Sequence, residues 1–383
     1  MKIVFLSNYY NHHQAHISEA FYKITGGSYR FIETGTISEE RKKLGYKVLT
    51  DRFVINYNEN DEIAAKAQEL IDNADILIVG AAPEKLIYKR KKSMKLIFRY
   101  SERPLKKGFQ WWKYPLRWHR WHSDNPKGSP IYMLCASAYT ALDYSKFGLF
   151  KNKTYKWGYF PGCKRYDSIE GLISGKKKNE ILWCGRFLDW KHPDDALQIA
   201  KRLQAENYDF HMSFIGTGEM ESVLKEMTRE YGLSEKVSFL GSMPPENVRE
   251  CMEQAGIYLF TSDKKEGWGA VLNESMNSGC AVVASHLIGS VPYMLKDRIN
   301  GSIYESGNLD DLFEKTKYLL DHPKAQDVFG KTAYETVTTE WNANISAQRF
   351  VRLCEAILAG EASQELYSDG PCSRAEIIQE KRN

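Results

Sequence analysis

The chain has 383 residues, 43% of them hydrophobic, 27% charged and 13% aromatic. This balance excludes a largely disordered chain, a collagen-like repeat and a disulfide-stapled miniprotein, and the length suits two domains. Net charge is only +4, but residues 85–121 hold thirteen Lys and Arg against one acid, Glu102, so the rest of the chain is acidic.

The chain opens with a short apolar run, Ile3–Leu6, which predicts a buried strand and is too short for a secretory leader. The loop Ser7–Gln14 follows, and then a helical pattern through Ile17, Ala20 and Phe21. Ile76–Val79, Leu96–Tyr100 and Ile131–Cys135 read as further strands, apolar on both faces and separated by helical stretches. That pattern predicts a parallel sheet covered on two sides. The polar stretch Ser168–Asn179, with Gly171 and Gly175, predicts a domain boundary. Beyond it the strand–helix alternation restarts at Glu180–Cys184, Phe210–Ile215, Val237–Gly241, Ile257–Phe260 and Ala281–Ala284. The expected fold class is α/β, with two Rossmann-like doubly wound domains. The expected limits are 1–168, 169–340, a helix over 341–360 and a loosely ordered polar tail over 361–383. No stretch reaches the ~18–20 apolar residues of a spanning helix. The seven cysteines form no CxxC pair, so a reducing cytoplasm is expected, with no zinc ribbon and no disulfide framework.

The most informative stretch is Glu266-Gly-Trp-Gly-Ala-Val-Leu-Asn-Glu274. A glycine loop running into a helix would leave the amides of Trp268, Gly269 and Ala270 near a helix start, where they favour an anion, with Gly267 before them also a donor-binding candidate. Two carboxylates flanking such a cradle suit a nucleotide sugar, one acid on sugar hydroxyls and the other on ribose. The same spacing also fits a solvated loop acid, Glu266, and a helix acid in a surface ion pair, Glu274. Arg186, just after a strand, and Lys191 offer two positive charges to a diphosphate. Gly216 and Gly218 fit either a nucleotide-side loop or a plain turn.

Taken together, these elements resemble the E-x7-E motif and its surroundings in retaining GT-B glycosyltransferases of family 4, of the kind found in bacterial surface polysaccharide biosynthesis. The resemblance runs from Ile181 to Asp321 and includes Glu274-Ser-Met-Asn-Ser-Gly-Cys-Ala-Val-Val-Ala284 and Asn300-Gly301. It implies two domains facing a cleft and a C-terminal helix crossing back to the first. It implies that Arg186 and Lys191 meet the donor diphosphate. Gly216, Gly218 and Leu240 would then lie near the nucleotide, and Glu266 on the sugar. The implied activity is transfer of a hexose-type sugar, UDP favoured, to a glycan or lipid-linked glycan hydroxyl. No DxD motif occurs, so no metal and no other cofactor is expected.

The first half departs from the family pattern. Its first loop has no glycine, and Arg99–Pro104 stands where a histidine is usual. His13 is a candidate to orient a hydroxyl or sugar, or else a loop histidine bonded to backbone. Asn8 and Glu102 are acceptor-side candidates, Glu102 alternatively neutralising its basic surroundings. The window Lys85–Trp121 interleaves cations with Phe109, Trp111, Trp112, Tyr114, Trp118 and Trp121. It suits an anionic membrane surface, with the protein peripheral on the cytoplasmic side, or a solvated face with the tryptophans in the core, or nucleic acid. Two alternatives to an enzyme therefore stand: a non-catalytic nucleotide-sugar-binding scaffold, and a nucleic-acid-binding protein.

Overall fold

The computed structural model describes residues 1–37 and 49–380. It divides into two compact units, one made of residues 1–161 with 342–383 and the other of 162–341.

In the first unit seven strands form one parallel sheet. They are β1 (Ile3–Ser7), β2 (Tyr29–Glu33), β3 (Val54–Asn56), β4 (Ile76–Val79), β5 (Ile97–Ser101), β6 (Ile131–Cys135) and β7 (Thr154–Lys156), in the order β3-β2-β1-β4-β5-β6-β7. All five residues of β1 and all four of β4 are buried, as continuous apolar runs in a two-sided sheet must be. The short strands β2, β3 and β7 went unread in the sequence because polar residues interrupt their apolar pattern. The helix Ala343–Leu358 belongs to this unit. Its Phe350 is buried against Phe21, Phe98 and Trp157, with ring centres 4.9–5.6 Å apart. Trp341 is not part of that helix. It is buried in the second unit, and Asn342 caps the helix by accepting from the Ile345 amide.

The polar tail is not loose over its described part. Residues 372–375 run antiparallel to β7, with hydrogen bonds from Cys372 N to Lys156 O and from Ala375 N to Thr154 O. Cys372, Ser373 and Ala375 are buried. The tail thereby covers an edge strand that would otherwise be open to pairing. Residues 381–383 of the expected tail lie outside the described residues.

The second unit holds β8 (Lys177–Cys184), β9 (His211–Ile215), β10 (Val237–Gly241), β11 (Ala255–Phe260), β12 (Ala281–Ser285) and β13 (Ser302–Tyr304), parallel and ordered β10-β9-β8-β11-β12-β13. The order reverses between β8 and β11, the switch point where such sheets bind ligands. Ile181, Leu197, Phe214, Ile257 and Val283 lie in its continuous core. The segment Ser168–Asn179 is not a linker, and the boundary falls instead between Pro161 and Gly162. Ser168 caps the helix Ile169–Ser174, and β8 already begins at Lys177. Lys176 is buried, donating to the carbonyls of Met252, Glu253 and Ala255. Polar composition here reflects a half-exposed strand start and a buried cation.

The basic window of the first unit is likewise not one charged surface. Arg90 is fully buried and donates to the carbonyls of Ile71, Ala74, Asp75 and Leu96. Arg103 is buried against Asp143, with Glu380 also on its guanidinium. Arg99 and Lys91 are held by Glu84 at 2.5 and 3.1 Å. Arg90→Met keeps most of the aliphatic bulk but takes a donor from four carbonyls, of which Leu96 O keeps the Leu77 amide at 3.3 Å. At about 1–3 kcal/mol per unsatisfied group, a loss of about 3 kcal/mol or more is expected in urea unfolding. An unchanged midpoint would show that water replaces the guanidinium.

Candidate active site

In the second unit the site grows from two loops that touch through their backbones. A Cβ on Gly216 would stand 1.9 Å from the Gly185 carbonyl oxygen, and one on Gly218 2.5 Å from that of Phe187. Gly216 also has φ +133°, which disfavours any side chain. Phe187 N donates to Thr217 O at 2.9 Å and Met220 N to Phe187 O at 3.1 Å. These glycines are thus required by loop-on-loop contact, a stronger demand than a plain turn makes. Gly216 N donates to Gly241 O at 2.8 Å, which brings the exposed Leu240 beside the same loop.

Past Gly185 the chain presents an exposed Arg186, then the turn Asp189–Lys191. Lys191 Nζ lies 2.5 Å from Glu266 Oε2, and Ser262 Oγ donates to the same oxygen at 3.1 Å. The two loops are stapled together below that pair. Trp183 Nε1 donates to Thr261 Oγ1, which donates to Lys191 O at 2.7 Å, and Asp263 N donates to Trp190 O at 2.9 Å. Glu266 is therefore not a solvated loop acid. The side chain of Arg186 makes no ion pair among the described residues, so its charge is uncommitted while that of Lys191 is held by a carboxylate.

Gly269 has φ +84°, and a Cβ there would stand 2.6 Å from the Phe260 ring. Between them, Gly267 and Gly269 carry the chain from Glu266 into the helix Val271–Asn277, with Ala270 at its cap. The indole of Trp268 is fully buried, donates to Asn273 Oδ1 at 2.9 Å and packs near Trp341. It is a core residue, so anything Trp268 offers a ligand is main-chain. Glu274 is half-buried near Cys184 and Tyr258 and enters no ion pair among the described residues. Burial raises its pKa, with Arg249 opposing. Cys184, at the end of β8, is pushed up to about 12 by burial, Glu274 adding to the shift and Lys191 reducing it. A surface ion pair for Glu274 is thus not the arrangement found.

One cluster had no signal in the sequence. His192, Asp194 and Asp195 follow Lys191 directly, and their ligand atoms all come within 4.8 Å of one another. The acids occupy the first turn of the helix Pro193–Ala205, where its dipole favours negative charge without any ion. His192 adopts φ 48°, and Asp263 raises its pKa, while burial pushes Asp195 up to about 6.

In the first unit the sheet order reverses between β1 and β4. Asn8, just past β1, is exposed; its side chain accepts from Tyr9 N and its carbonyl from Thr34 N. His13 sits in the first turn of the helix His12–Ile24, capped by Asn11. Its ring stacks on Tyr159 with centres 4.7 Å apart, and its buried Nδ1 has no partner among the described residues. A backbone-bonded loop histidine is therefore not what the structure shows. Tyr159 donates to Glu102 Oε1 at 2.6 Å, and Lys106 holds Oε2 at 3.1 Å. The structure thus joins His13 and Glu102 through a tyrosine that no sequence pattern marked.

Burial, then His12, pushes the His13 pKa down to about 3 from an ordinary 6.5. Between those values the unfolded chain holds a proton that the folded chain does not. Stability should therefore fall as pH drops from 6.5 toward 3, by up to about 1.4 kcal/mol per pH unit from this group. His13→Asn should flatten that slope in urea titrations across the window. An unchanged slope would show that the ring is protonated in the folded state.

Residues 166–336 match the family model described as glycosyl transferases group 1. An uncharacterized glycosyltransferase of Haemophilus influenzae is 26% identical over 145 residues, 38% of this chain and 40% of that one. A GDP-mannose-dependent monoacylated alpha-(1-6)-phosphatidylinositol monomannoside mannosyltransferase of Corynebacterium glutamicum is 24% identical over 183 residues, 46% of this chain and 47% of that one. In both cases the chain spans less than half the relative's length. Among solved structures, Anabaena Alr3699/HepE in complex with UDP superposes with a TM-score of 0.68 at 12% identity, covering 93% of this chain and 100% of that one. The chain has the GT-B fold of these structures, and its residues 166–336 match the group 1 glycosyltransferase model.

Proposed function

We propose that the chain is a retaining glycosyltransferase that moves a hexose-type sugar from a nucleoside-diphosphate donor to a hydroxyl of a glycan or lipid-linked glycan, without a metal. The observation that carries this reading is the Lys191–Glu266 contact at the switch point of the second sheet, with Arg186 uncommitted on the β8 loop and Glu274 eight residues on in sequence. Two cations offset the charge that develops on a leaving diphosphate. A diphosphate that recruits Lys191 releases the Glu266 carboxylate to the sugar hydroxyls, and Glu274 takes the ribose. The attacking hydroxyl approaches on the face from which the diphosphate leaves, and the leaving phosphate accepts its proton. Glu266 then positions the sugar and is not a nucleophile. On the first unit, His13 is neutral at physiological pH and orients a hydroxyl, with Tyr159 and Glu102 beside it.

UDP is favoured, with support from one protein of the same fold, Anabaena Alr3699/HepE, solved with UDP and with UDP-glucose. The Corynebacterium relative is named for GDP-mannose, so the base is a matter for experiment. A lipid-linked acceptor places the enzyme on the cytoplasmic side of an anionic membrane.

A thermal-shift panel of UDP, GDP, ADP, TDP and CMP should single out one diphosphate, with or without EDTA. Loss of the shift in EDTA would overturn metal independence. Glu266→Ala should lower kcat by about 100–1,000-fold with little change in nucleotide affinity. Glu274→Ala should weaken nucleotide binding by about 10–100-fold, the worth of a charge-assisted hydrogen bond. Equal effects of both variants on both parameters would sink this division of roles. Donor hydrolysis by the wild type would exclude a non-catalytic scaffold.

A further inference from the structure

Residues 106–123 contain five Lys and Arg and no Asp or Glu. They fold as a loop, a tight turn at Trp111–Lys113 and the helix Tyr114–Asp124, which has no buried residue. One side of that helix is anchored to the first unit. Tyr114 stacks on Phe147 with ring centres 4.8 Å apart, and Trp121, two turns on, meets Phe147 at 4.6 Å and Tyr144 at 5.0 Å. Other apolar groups face solvent: Trp111 is 73% exposed, Trp112 59% and Leu116 73%, while Phe109, 47% exposed, also meets Tyr114 and Phe147 at 5.9 and 6.1 Å. Lys107, Lys113 and Arg120 are exposed among them, Arg120 with Asp124 3.7 Å away. A second patch, with exposed Tyr88, Met94, Lys85 and Lys92, is fixed beside the helix's C-terminal end. Arg99 and Lys91 make that link, through Asp124 O at 2.9 and 3.5 Å.

We infer that Phe109–Arg120 is the element that docks this protein on an anionic phospholipid bilayer. The inference rests on the lipid-linked form of the proposed acceptor for its purpose, although the contact itself does not require it. Charge complementarity identifies the occupant. Indoles and a leucine with cations around them, and no acid before Asp124 at the helix end, match a headgroup layer, where rings sit at the interface and cations meet phosphates. Among the described residues no helix is long and apolar enough to cross a membrane, so the contact is interfacial. The element is far narrower than the Lys85–Trp121 window, because Arg90 and Arg103 are spent in the interior and Lys91 and Arg99 in ion pairs.

The test is co-sedimentation of the full chain with phosphatidylcholine vesicles, with and without phosphatidylglycerol, alongside tryptophan emission and its quenching by brominated lipid. The wild type should bind only the anionic vesicles, with a blue shift and quenching. Changing Trp111, Trp112 and Leu116 together to Ser should lower partitioning by about tenfold or more. Lys113→Gln and Arg120→Gln should each lower it about fivefold. An unchanged far-ultraviolet circular dichroism spectrum and urea midpoint confirm that each variant is folded, and donor hydrolysis tests the transferase reading separately. Failure of the wild type to bind at low salt, or equal binding by the triple variant, would overturn the inference. So would a dimer in light scattering, or an RNA gel shift, that the triple variant abolishes.

Discussion

The carbonyl oxygen of Gly185 occupies the space where a side chain at position 216 would begin. Much of the second unit's candidate site follows from that close approach. It locks the loops after β8 and β9 together. The Thr261 and Asp263 bonds then tie the turn Asp189–Lys191 to the loop after β11, so Lys191 and Glu266 meet at 2.5 Å. The pair thus rests on hydrogen-bonded main chain that is buried beneath it. Such support fixes charged groups in place more firmly than surface loops can.

Cations do much of the interior work in this molecule. Arg90 in the first unit and Lys176 in the second each collect carbonyls from strand and helix ends that no secondary structure satisfies. Burial lowers the Arg90 pKa only to about 10, so it stays charged at neutral pH and keeps its full donor capacity. Charge counted along a sequence therefore overstates charge on the surface. What the basic window leaves outside is smaller, but it surrounds exposed indoles that no part of the first unit covers.

The C-terminal residues illustrate how local polarity can mislead. The tail reads as solvated, yet its backbone pairs with β7, and Glu380 reaches the buried Arg103–Asp143 pair. Backbone hydrogen bonding is indifferent to side-chain polarity, so a polar segment serves well as an edge cover. Likewise Ser168–Asn179 looked like a linker because the first residues of β8 face solvent on alternate sides.

Sequence alone determined the α/β class and the central strands, and it marked the residues of the second unit's candidate site. Short continuous apolar runs such as Ile76–Val79 fit two-sided strands, and Glu266, Glu274, Arg186 and Lys191 lie within one stretch of local motifs. Contacts between distant segments were decided only by the tertiary structure. Tyr159 meets His13 and Glu102 across more than fifty residues of chain, and such pairings leave no periodicity to read. Trp268 is buried while Trp111 and Trp112 are exposed, although the side chain is the same at all three. Burial depends on which elements pack together, and that is settled by the whole chain folding around its two sheets.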